Sequence, residues 1–427
     1  MRRYFLAAFL DSTCYSLIMK ALVLGSGIQG LCAAFALHDN GYDVQIIEKA
    51  NEVFSRTSLH QEGRVHMGFT YALDRTGETG NMMMHSALNF SGAMEKWLGY
   101  IDWSSMLLDK GYYLIHKQES LLSAQEVISY YDNLQHIYTQ LTENDPNLSY
   151  FGQRPKKIFH VLDDLPKGVS DDHVARAILT EERIIEMFKF KDILIENINK
   201  RKITVSTNSE VFAVKKMDRT FKVLVKDSSA IEREYESDIV VNCLWNNRIK
   251  LDKTIGIETV GDPLYRFKVG LFGKIDNPLP NCTIISGAFG NVSPRMDGDY
   301  AYISWHVDSM RGMTTDGTTP DEWEEYFTKD PEQELQSEWV KRAIANMAEF
   351  VPQAIELKPT KLLPGIICST GKTDIHDKQS RVHMRAEQMG IYQMGNYFSI
   401  NTGKFSSAPL LADELIQRLS GHSEKQY

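Results

Sequence analysis

The chain has 427 residues, which is enough for the cores of two or three domains. Its formal net charge of −9 argues against a broad nucleic-acid-binding face, and no segment is long and apolar enough for stable insertion into a membrane. The five cysteines are scattered and lack the spacing of a metal site, so the sequence predicts free thiols, no bound metal and a cytoplasmic location.

Residues 1–18 loosely imitate a signal peptide, because Arg2 and Arg3 stand before a short apolar run. Asp11 interrupts that run, and no cleavage site flanked by small residues is evident. We therefore interpret residues 1–18 as a loose tail or an over-extended start that precedes the first domain.

The stretch from residue 20 onward has the pattern of a dinucleotide-binding unit. A buried strand leads into Gly25, Gly27 and Gly30, a helix follows, and a second strand ends on Glu48. In such units the first glycine allows a tight turn, the second lets a pyrophosphate approach the backbone, and the third lets helix and strand pack closely. The helix N-terminus offers N–H groups to phosphates, and the acidic residue accepts hydrogen bonds from ribose. The motif alone does not separate FAD from NAD.

The loop that follows Glu48 is polar and lacks helical periodicity through its middle. It carries the hydroxyls of Thr57 and Ser58 and the charge of Arg64. Loops at the carboxyl ends of parallel strands hold the ligand in such sheets, so these groups can serve phosphates or a cofactor ring. The plainer interpretation is a surface loop with incidental polar residues.

Periodicity and capping signals predict the remaining elements. A capping box at Ser123 and Glu126 opens a long amphipathic helix, and residues 171–199 are interpreted as another helix that contains Glu181 and Glu182. Further strands are predicted at 111–115, 202–205, 210–216, 221–226, 239–243, 265–272 and 300–306, and further helices at 76–98, after Thr319 and from Asp330.

Near the C-terminus, a strand runs into the polar turn Thr402-Gly403-Lys404, and a helix follows. A helix N-terminus behind such a turn can receive an anionic group. The pyrimidine edge of a flavin gains negative charge on reduction, so Lys404 is a candidate to contact that edge or to stabilise the reduced ring. The plainer interpretation of Lys404 is a surface lysine in a turn.

Three separated stretches together resemble the D-amino-acid-oxidase-like superfamily of FAD-dependent oxidoreductases, which includes glycine oxidase, sarcosine oxidase and L-2-hydroxyglutarate oxidase. They are the glycine motif with Glu48, residues 57–68 and residues 401–412. The resemblance implies an α/β fold in which a Rossmann-like FAD-binding domain of the GR2 type is interleaved with a mixed-sheet α+β substrate domain. The FAD-binding domain would comprise residues 19–98, 170–261 and 385–421, and the substrate domain residues 99–169 and 262–384.

The resemblance also implies non-covalent FAD and a set of cofactor-binding positions. These positions are Gly25, Gly27, Ile28, Gln29, Gly30, Glu48, Lys49, Thr57, Ser58, Gly63, Arg64, Val211, Trp245, Thr402, Gly403, Lys404 and Phe405. The arginine that grips the substrate carboxylate in many amino-acid oxidases of the family has no counterpart in residues 363–369, and Gln61 replaces the usual Asn of the flavin loop. Cys368 does not match the local sequence of the covalently flavinylated sarcosine oxidases.

The activity that the resemblance implies is oxidation of a C–H bond next to an amine or a hydroxyl of a small molecule, with hydride transfer to flavin N5. Oxidation of a neutral amine requires that the amine be desolvated and correctly oriented, whereas oxidation of an alcohol also requires a base for its O–H proton. His66 and His60 are the candidate bases, each also open to interpretation as a structural histidine, and Lys404 is the third catalytic candidate. Arg266 and Lys268 either hold an anionic substrate or stand on an exposed strand face.

Two other classes stay open, namely a flavin-dependent monooxygenase and a flavoprotein whose FAD is structural. The monooxygenases share the glycine motif, but the turn at Gly403 and Lys404 does not fit their flavin loop. The electron acceptor stays open between oxygen, a quinone and another protein.

Overall fold

The computed structural model describes residues 18–258, 261–329 and 332–421. The expectations for residues 1–17 and for a helix opening at Asp330 lie outside the described residues. The strands, in chain order, are β1 Lys20–Leu24, β2 Asp43–Ile47, β3 Arg64–Val65, β4 Tyr112–His116, β5 Phe159–Val161, β6 Val174–Thr180, β7 Arg183–Ile184, β8 Thr204–Ser206, β9 Ser209–Lys216, β10 Phe221–Asp227, β11 Glu232–Ser237, β12 Ile239–Asn242, β13 Pro263–Lys274, β14 Cys282–Ile285, β15 Gly290–Pro294, β16 Tyr300–Trp305, β17 Met310–Thr314, β18 Lys358–Thr370, β19 Gly390–Met394 and β20 Tyr397–Asn401. The α-helices are α1 Ile28–Asp39, α2 Glu78–Leu98, α3 Ala124–Asn144, α4 Met187–Arg201, α5 Arg248–Lys253, α6 His306–Ser309, α7 Asp321–Glu325, α8 Glu332–Leu335, α9 Glu338–Ala348 and α10 Ala408–Leu419.

A six-stranded sheet in the order β19-β20-β12-β1-β2-β8 carries the dinucleotide unit. Its strands run parallel except for β19, which pairs antiparallel with β20. Successive side chains of a strand point to opposite faces. Ala21 and Val23 of β1 therefore pack with α1, whereas Leu22 and Leu24 pack with the antiparallel sheet β9-β10-β11. Burial on both faces explains why β1 is apolar throughout.

A nine-stranded mixed sheet forms the other large layer. It runs β17-β13-β16-β15-β14-β4-β6-β5, and β18 pairs antiparallel along the length of β13. The pair β14 and β4 is parallel, whereas β13 and β16 are antiparallel, which makes the sheet mixed. Helix α9 covers this sheet through Trp339, Ala343 and Met347. The two large sheets and their helices confirm the predicted α/β fold class.

The predicted helix over residues 171–199 is wrong in its first half. Residues 174–180 form β6, which pairs with both β4 and β5, and α4 begins only at Met187. Pairing with strands that lie far away in the sequence outweighs the local helix preference of Ala and Leu in this segment. Glu182 consequently lies between β6 and β7 and not on a helix. The domain boundaries stay a prediction, and β6, at the start of the proposed segment 170–261, pairs within the nine-stranded sheet.

In the part of the chain that the structure describes, no helix combines the length and the apolar character required to cross a membrane.

Candidate active site

A cavity of about 310 Å³ is lined by residues of both large sheets. One wall consists of residues that directly follow the parallel strands β1, β2, β12 and β20. Ligands bind at the carboxyl ends of the strands in open α/β sheets, so this wall stands where a dinucleotide is expected. The opposite wall comes from the nine-stranded sheet and includes Lys268 of β13, Tyr302 of β16 and Ile366 of β18.

The glycine turn, residues 25–30, brings the backbone of β1 and α1 into close contact. Gly25 has a φ of 94°, a conformation that favours glycine, and its N–H donates to the Ile47 carbonyl at 2.8 Å. A Cβ atom on Gly30 would lie 1.9 Å from the Gly25 carbonyl oxygen, so only glycine fits there. Gly27 caps α1 and lines the cavity, which places the first-turn N–H groups of the helix beside the space for a pyrophosphate.

Glu48 is fixed at the cavity wall by backbone and hydroxyl donors. Its Oε2 accepts hydrogen bonds from the N–H and the hydroxyl of Ser26, both at 2.7 Å, and its Oε1 accepts one from the Ala50 N–H at 2.8 Å. The carboxylate is therefore oriented at the point where ribose hydroxyls would approach. The neighbouring Lys49 also lines the cavity, and its ammonium lies 2.7 Å from Oε2 of Glu324.

The cofactor loop, residues 49–60, follows β2 along the chain and is hydrogen-bonded to both α1 and β18. The Ser58 hydroxyl accepts a hydrogen bond from the Ile28 N–H at 3.0 Å, and the Thr57 hydroxyl accepts one from the Ile366 N–H at 3.2 Å. Both hydroxyls line the cavity. Trp245, which comes shortly after β12, donates its indole N–H to the Ile366 carbonyl at 2.7 Å. These bonds hold the predicted cofactor residues and β18 in one arrangement.

His60 lines the cavity as a neutral side chain. Its Nδ1 lies 3.0 Å from the Pro364 carbonyl oxygen, and its ring stacks on Phe327 with 5.8 Å between ring centroids. Burial lowers the pKa of His60 to about 4, so its free nitrogen is a weak base at neutral pH. The arrangement fits a structural histidine, and a catalytic role for His60 stays a prediction.

Arg64 belongs to a buried polar cluster behind the cavity. Its Nε donates to Oε1 of Glu62 at 3.1 Å, and a terminal nitrogen donates to the Thr283 hydroxyl at 3.0 Å. The second carboxylate oxygen of Glu62 accepts a hydrogen bond from the Asn291 amide. Glu62 lines the cavity and Arg64 does not, so Arg64 acts here as the partner that neutralises a wall carboxylate.

His66 lies at the cavity wall with Glu182 behind it. Nδ1 of His66 is 3.4 Å from Oε1 of Glu182, which also accepts a hydrogen bond from the Met67 N–H at 2.6 Å. The other oxygen of Glu182 accepts one from the Tyr113 hydroxyl. Burial and the nearby ammonium of Lys404 lower the pKa of His66, which leaves the ring neutral at pH 7. The sequence held no signal for Glu182, because its segment was interpreted as a helix.

Lys268 and Lys404 line the cavity without a salt bridge to any described residue. Burial lowers the pKa of Lys268 to about 8, and the nearby Lys404 contributes to this shift. Burial also lowers the pKa of Lys404 to about 7, with a further contribution from Arg385. Lys404 is positioned by the tight turn at Gly403, whose φ is 64°. Glu62, which is paired with Arg64, opposes both shifts, and two enclosed lysines without a salt bridge of their own form a wall that suits an anionic group.

Arg266 is not on an exposed strand face, since it is 2% exposed and forms a salt bridge with Asp374. The second oxygen of Asp374 lies 2.8 Å from Nε2 of His306, so this carboxylate is shared by two side chains. Arg385, which sequence reasoning missed, donates to the Cys368 carbonyl at 2.6 Å. Burial lowers the pKa of Arg385 to about 10, which leaves it positively charged at neutral pH.

The cavity gathers most of the predicted site residues. Those lining it are Gly25, Gly27, Ile28, Gln29, Glu48, Lys49, Thr57, Ser58, His60, His66, Trp245, Thr402, Gly403, Lys404 and Phe405. Gly30, Gly63, Arg64 and Val211 do not line it. Gly30 serves the contact between α1 and β1, Gly63 faces the Ile185 carbonyl, and Val211 packs in the core beside β10.

The residues present fit a bound FAD. The glycine turn has no room for a Cβ atom on Gly30, its helix N-terminus faces the cavity, and Glu48 is oriented beside it. Cys368 does not line the cavity, and burial raises the pKa of its thiol, which supports a non-covalent cofactor. Within residues 18–258, 261–329 and 332–421, no three or more His, Cys, Asp or Glu side chains form a group able to hold a metal ion.

A family model described as FAD dependent oxidoreductase, abbreviated DAO, matches residues 20–418. A search of curated proteins finds no significant match. The fold is similar to that of glycine oxidase from Geobacillus kaustophilus, with a TM-score of 0.66, 13% identity and coverage of 96% of this chain and 99% of that chain. It is also similar to L-proline dehydrogenase from P. horikoshii (TM-score 0.62, 14% identity, coverage 96% and 95%). L-alpha-glycerophosphate oxidase from Mycoplasma pneumoniae with FAD bound is a third similar structure (TM-score 0.58, 14% identity, coverage 94% and 95%).

Proposed function

This chain belongs to the DAO family of FAD-dependent oxidoreductases, and we propose that it oxidises a C–H bond next to an amine or a hydroxyl of a small anionic molecule. Bound FAD supplies the hydride acceptor, which is N5 of its flavin ring. The observation that carries the proposal is that one cavity contains both the glycine turn with Glu48 and the titratable groups His66, Lys268 and Lys404.

The charges at the cavity wall support an anionic substrate. Lys268 and Lys404 have no salt-bridge partner among the described residues, whereas the wall carboxylate of Glu62 is already paired with Arg64. Arg385 adds a further buried positive charge. A carboxylate or phosphate would relieve the cost of holding these cations out of water. The two lysines would then replace the carboxylate-gripping arginine that residues 363–369 lack.

The compounds named for the similar structures are consistent with an anionic electron donor. Glycine, L-proline and glycerophosphate, which are named for three of those proteins, each carry a carboxylate or a phosphate. Two of these compounds are amines and one is an alcohol. The two donor types are both kept in the proposal for this reason.

The visible spectrum of the purified protein tests the cofactor. A flavin spectrum that passes into the supernatant after acid precipitation is expected for non-covalent FAD. A protein without a flavin spectrum that also takes up no added FAD would overturn the proposal.

Anaerobic reduction of the bound flavin tests the reaction. We expect reduction by at least one anionic amine or hydroxy compound, followed in absorbance. Reduction by NADPH alone would favour the monooxygenase. Absence of reduction by every donor would favour a flavoprotein whose FAD is structural.

A further inference from the structure

We propose that Glu182 is a positioning residue for His66, and that this pair directs the site towards a hydroxyl donor and away from an amine. The inference rests on the proposed function, because it concerns the same cavity and the same bound FAD. Its basis is the placement of a fully buried carboxylate directly behind a cavity-lining histidine.

The geometry selects one tautomer of the His66 ring. Nδ1 is fully enclosed and forms no hydrogen bond with a described residue, and Oε1 of Glu182 lies 3.4 Å from it. Contacts between catalytic groups are commonly long before a ligand binds. An ionised carboxylate only accepts hydrogen bonds, so it favours the proton on Nδ1. Nε2 is then unprotonated, and it is the ring nitrogen left to reach the cavity that His66 lines.

Glu182 is held firmly enough to fix that tautomer. The Met67 N–H and the Tyr113 hydroxyl each donate to one of its oxygens, and Arg64 lies 3.8 Å away. Burial alone would raise the pKa of Glu182. The Coulombic effect of His66 on it acts only while that ring is protonated, whereas the charge of Arg64 and the hydrogen bond from the Tyr113 hydroxyl lower the pKa with the ring neutral and favour the ionised carboxylate. The carboxylate therefore has no proton to donate to His66.

The burial of His66 and the charged groups that face it leave its ring uncharged at neutral pH. They are Glu182, Glu62 and Lys404, and the ring of Tyr71 stands edge-on at 6.2 Å between centroids. Burial and Lys404 lower the pKa of His66, and the two carboxylates oppose that shift. The outcome is a neutral imidazole at pH 7 whose Nε2 lone pair is available to a proton.

An alcohol requires such a base. The O–H proton would pass to Nε2 of His66, bound FAD would supply the acceptor for the C–H hydrogen and its two electrons, and the carbon would become a carbonyl. The imidazolium that results is stabilised by the Glu182 carboxylate behind it, as in other histidine and carboxylate pairs. A hydroxyl carries no charge when it enters.

An amine donor is less suited to this wall. At neutral pH it enters as an ammonium cation, which is repelled by the positive charge of Lys268, by the charged fraction of Lys404 and by Arg385 nearby. The same three cations attract the anionic end of the donor. The positive groups therefore attract the anionic end of either donor but repel an ammonium group. A hydroxy acid or a phosphorylated alcohol has no ammonium group and is only attracted.

The tautomer of His66 is measured without a substrate. The holoenzyme is labelled with ¹⁵N-histidine, and the His66 signals are assigned by their loss in His66→Asn. We expect a protonated Nδ1 in the wild type, loss of that preference in Glu182→Gln, and its retention in Tyr113→Phe, which removes a bond to the other oxygen of Glu182. A wild type protonated on Nε2, or an unchanged tautomer in Glu182→Gln, would overturn the role of Glu182. If Glu182→Gln does not fold, the tautomer of His66 in the wild type alone tests the role of Glu182.

Donor choice is measured by anaerobic flavin reduction. The hydroxyl probes are L-lactate, L-malate, 2-hydroxyglutarate and glycerol 3-phosphate, and the amine probes are glycine, L-proline and sarcosine. We expect reduction by a hydroxyl probe only, slowed by about 10²-fold or more in Glu182→Gln. Reduction by an amine probe would overturn the inference and leave the proposed function intact. Reduction by none of the probes would overturn both.

Discussion

The ammonium groups of Lys268 and Lys404 are enclosed at the cavity wall and form no salt bridge with a described residue. Burial lowers their pKa values to about 8 and about 7, so both change charge close to neutral pH. A bound anion favours the charged form of each lysine and restores its proton. Binding of the anion and binding of the proton are therefore linked at this site.

The affinity of the site for an anion should fall as the pH rises from 7 to 9. A lysine is charged below its pKa, so binding above pH 8 requires proton uptake and weakens by up to about tenfold per pH unit for each proton. Oxalate, which this chemistry does not oxidise, is a suitable ligand, and its binding is followed by the flavin absorbance. Lys268→Met should weaken oxalate binding and make the affinity depend less steeply on pH. Lys361 is an exposed lysine of β18, so Lys361→Met should change neither the affinity nor its pH dependence. A pH dependence in Lys268→Met as steep as in the wild type would contradict the role of Lys268 in anion binding.

Glu48 should contribute to FAD binding through its negative charge. Glu48→Gln keeps the shape of the side chain but places a donor where ribose hydroxyls need an acceptor. Hydrogen bonds to charged groups are worth about 1.5–3 kcal/mol, so the dissociation constant for FAD should rise by roughly tenfold to a hundredfold. Fluorescence of free FAD measures this change. The control is Asp43→Asn, at the exposed start of β2, the strand that Glu48 directly follows. Equal dissociation constants for FAD in the two variants would contradict a role for Glu48.

The sequence correctly predicted those helices and strands that are determined by neighbouring residues in the chain. The capping box at Ser123 and Glu126 is present, with the Ser123 N–H donating to Glu126 at 2.7 Å and the Glu126 N–H donating to Ser123 at 3.2 Å. The segment of Glu182 depended on β4 and β5, which pair with β6 from distant parts of the chain. No pattern within residues 171–199 contained that information, so the strand and the carboxylate behind His66 were both missed.

The residues of the candidate site divide in the same way. The glycine turn and Glu48 could be predicted because one strand-helix-strand unit contains them. The position of Lys268 at the cavity could not be chosen from sequence, since it follows from the register of β13 against β18, in which Lys268 stands opposite Gly365. Alternation along a strand predicts two faces but does not predict which face meets a neighbouring sheet.

Helix α1 should tolerate no side chain at Gly30. In Gly30→Ala, the new methyl group would lie 1.9 Å from the Gly25 carbonyl oxygen, so α1 must move away from β1. We expect loss of FAD binding and a lower unfolding temperature. Gly92→Ala in α2 is the matched control, because its Cβ would meet nothing within 4 Å, and it should stabilise the protein by about 0.5–1 kcal/mol. Calorimetry with and without FAD measures both, and a fully stable, FAD-binding Gly30→Ala would contradict the packing argument.

On the scale of the whole molecule, a contact between the cofactor loop and α7 lies beside the cavity. Glu324 of α7 forms salt bridges with both Lys49 and Arg56, which line the cavity. The guanidinium of Arg56 also lies 4.1 Å from the ring centroid of Phe327. This contact joins residues that follow β2 of the parallel sheet to a segment that follows β17 of the mixed sheet. Side chains of the cofactor loop and α7 therefore tie the two large sheets together beside the cavity.

Loss of the Glu324 charge should accelerate FAD release while leaving the fold almost unchanged. The salt bridges are partly exposed, so each contributes at most about 1 kcal/mol to folding. The same energy, when lost from a contact beside bound FAD, changes the dissociation rate of FAD by roughly fivefold. Stopped-flow release of FAD into an excess of a competing apoflavoprotein would show this in Glu324→Gln, with Glu322→Gln, an exposed residue of the same helix, as the control.

The pH dependence of FAD release separates an effect of the Glu324 salt bridges from a general effect of α7. Burial alone would raise the pKa of Glu324, but Lys49 and Arg56 bring it below its ordinary value of 4.5. The carboxylate therefore stays charged at pH 5, and its contribution is lost only as the pH falls below 4.5. Wild-type release should approach the rate of Glu324→Gln in that acid range alone. Equal rates for Glu324→Gln and Glu322→Gln at pH 7 would contradict a role of this contact in retaining FAD, because Glu324 is the residue that forms salt bridges with the cofactor loop.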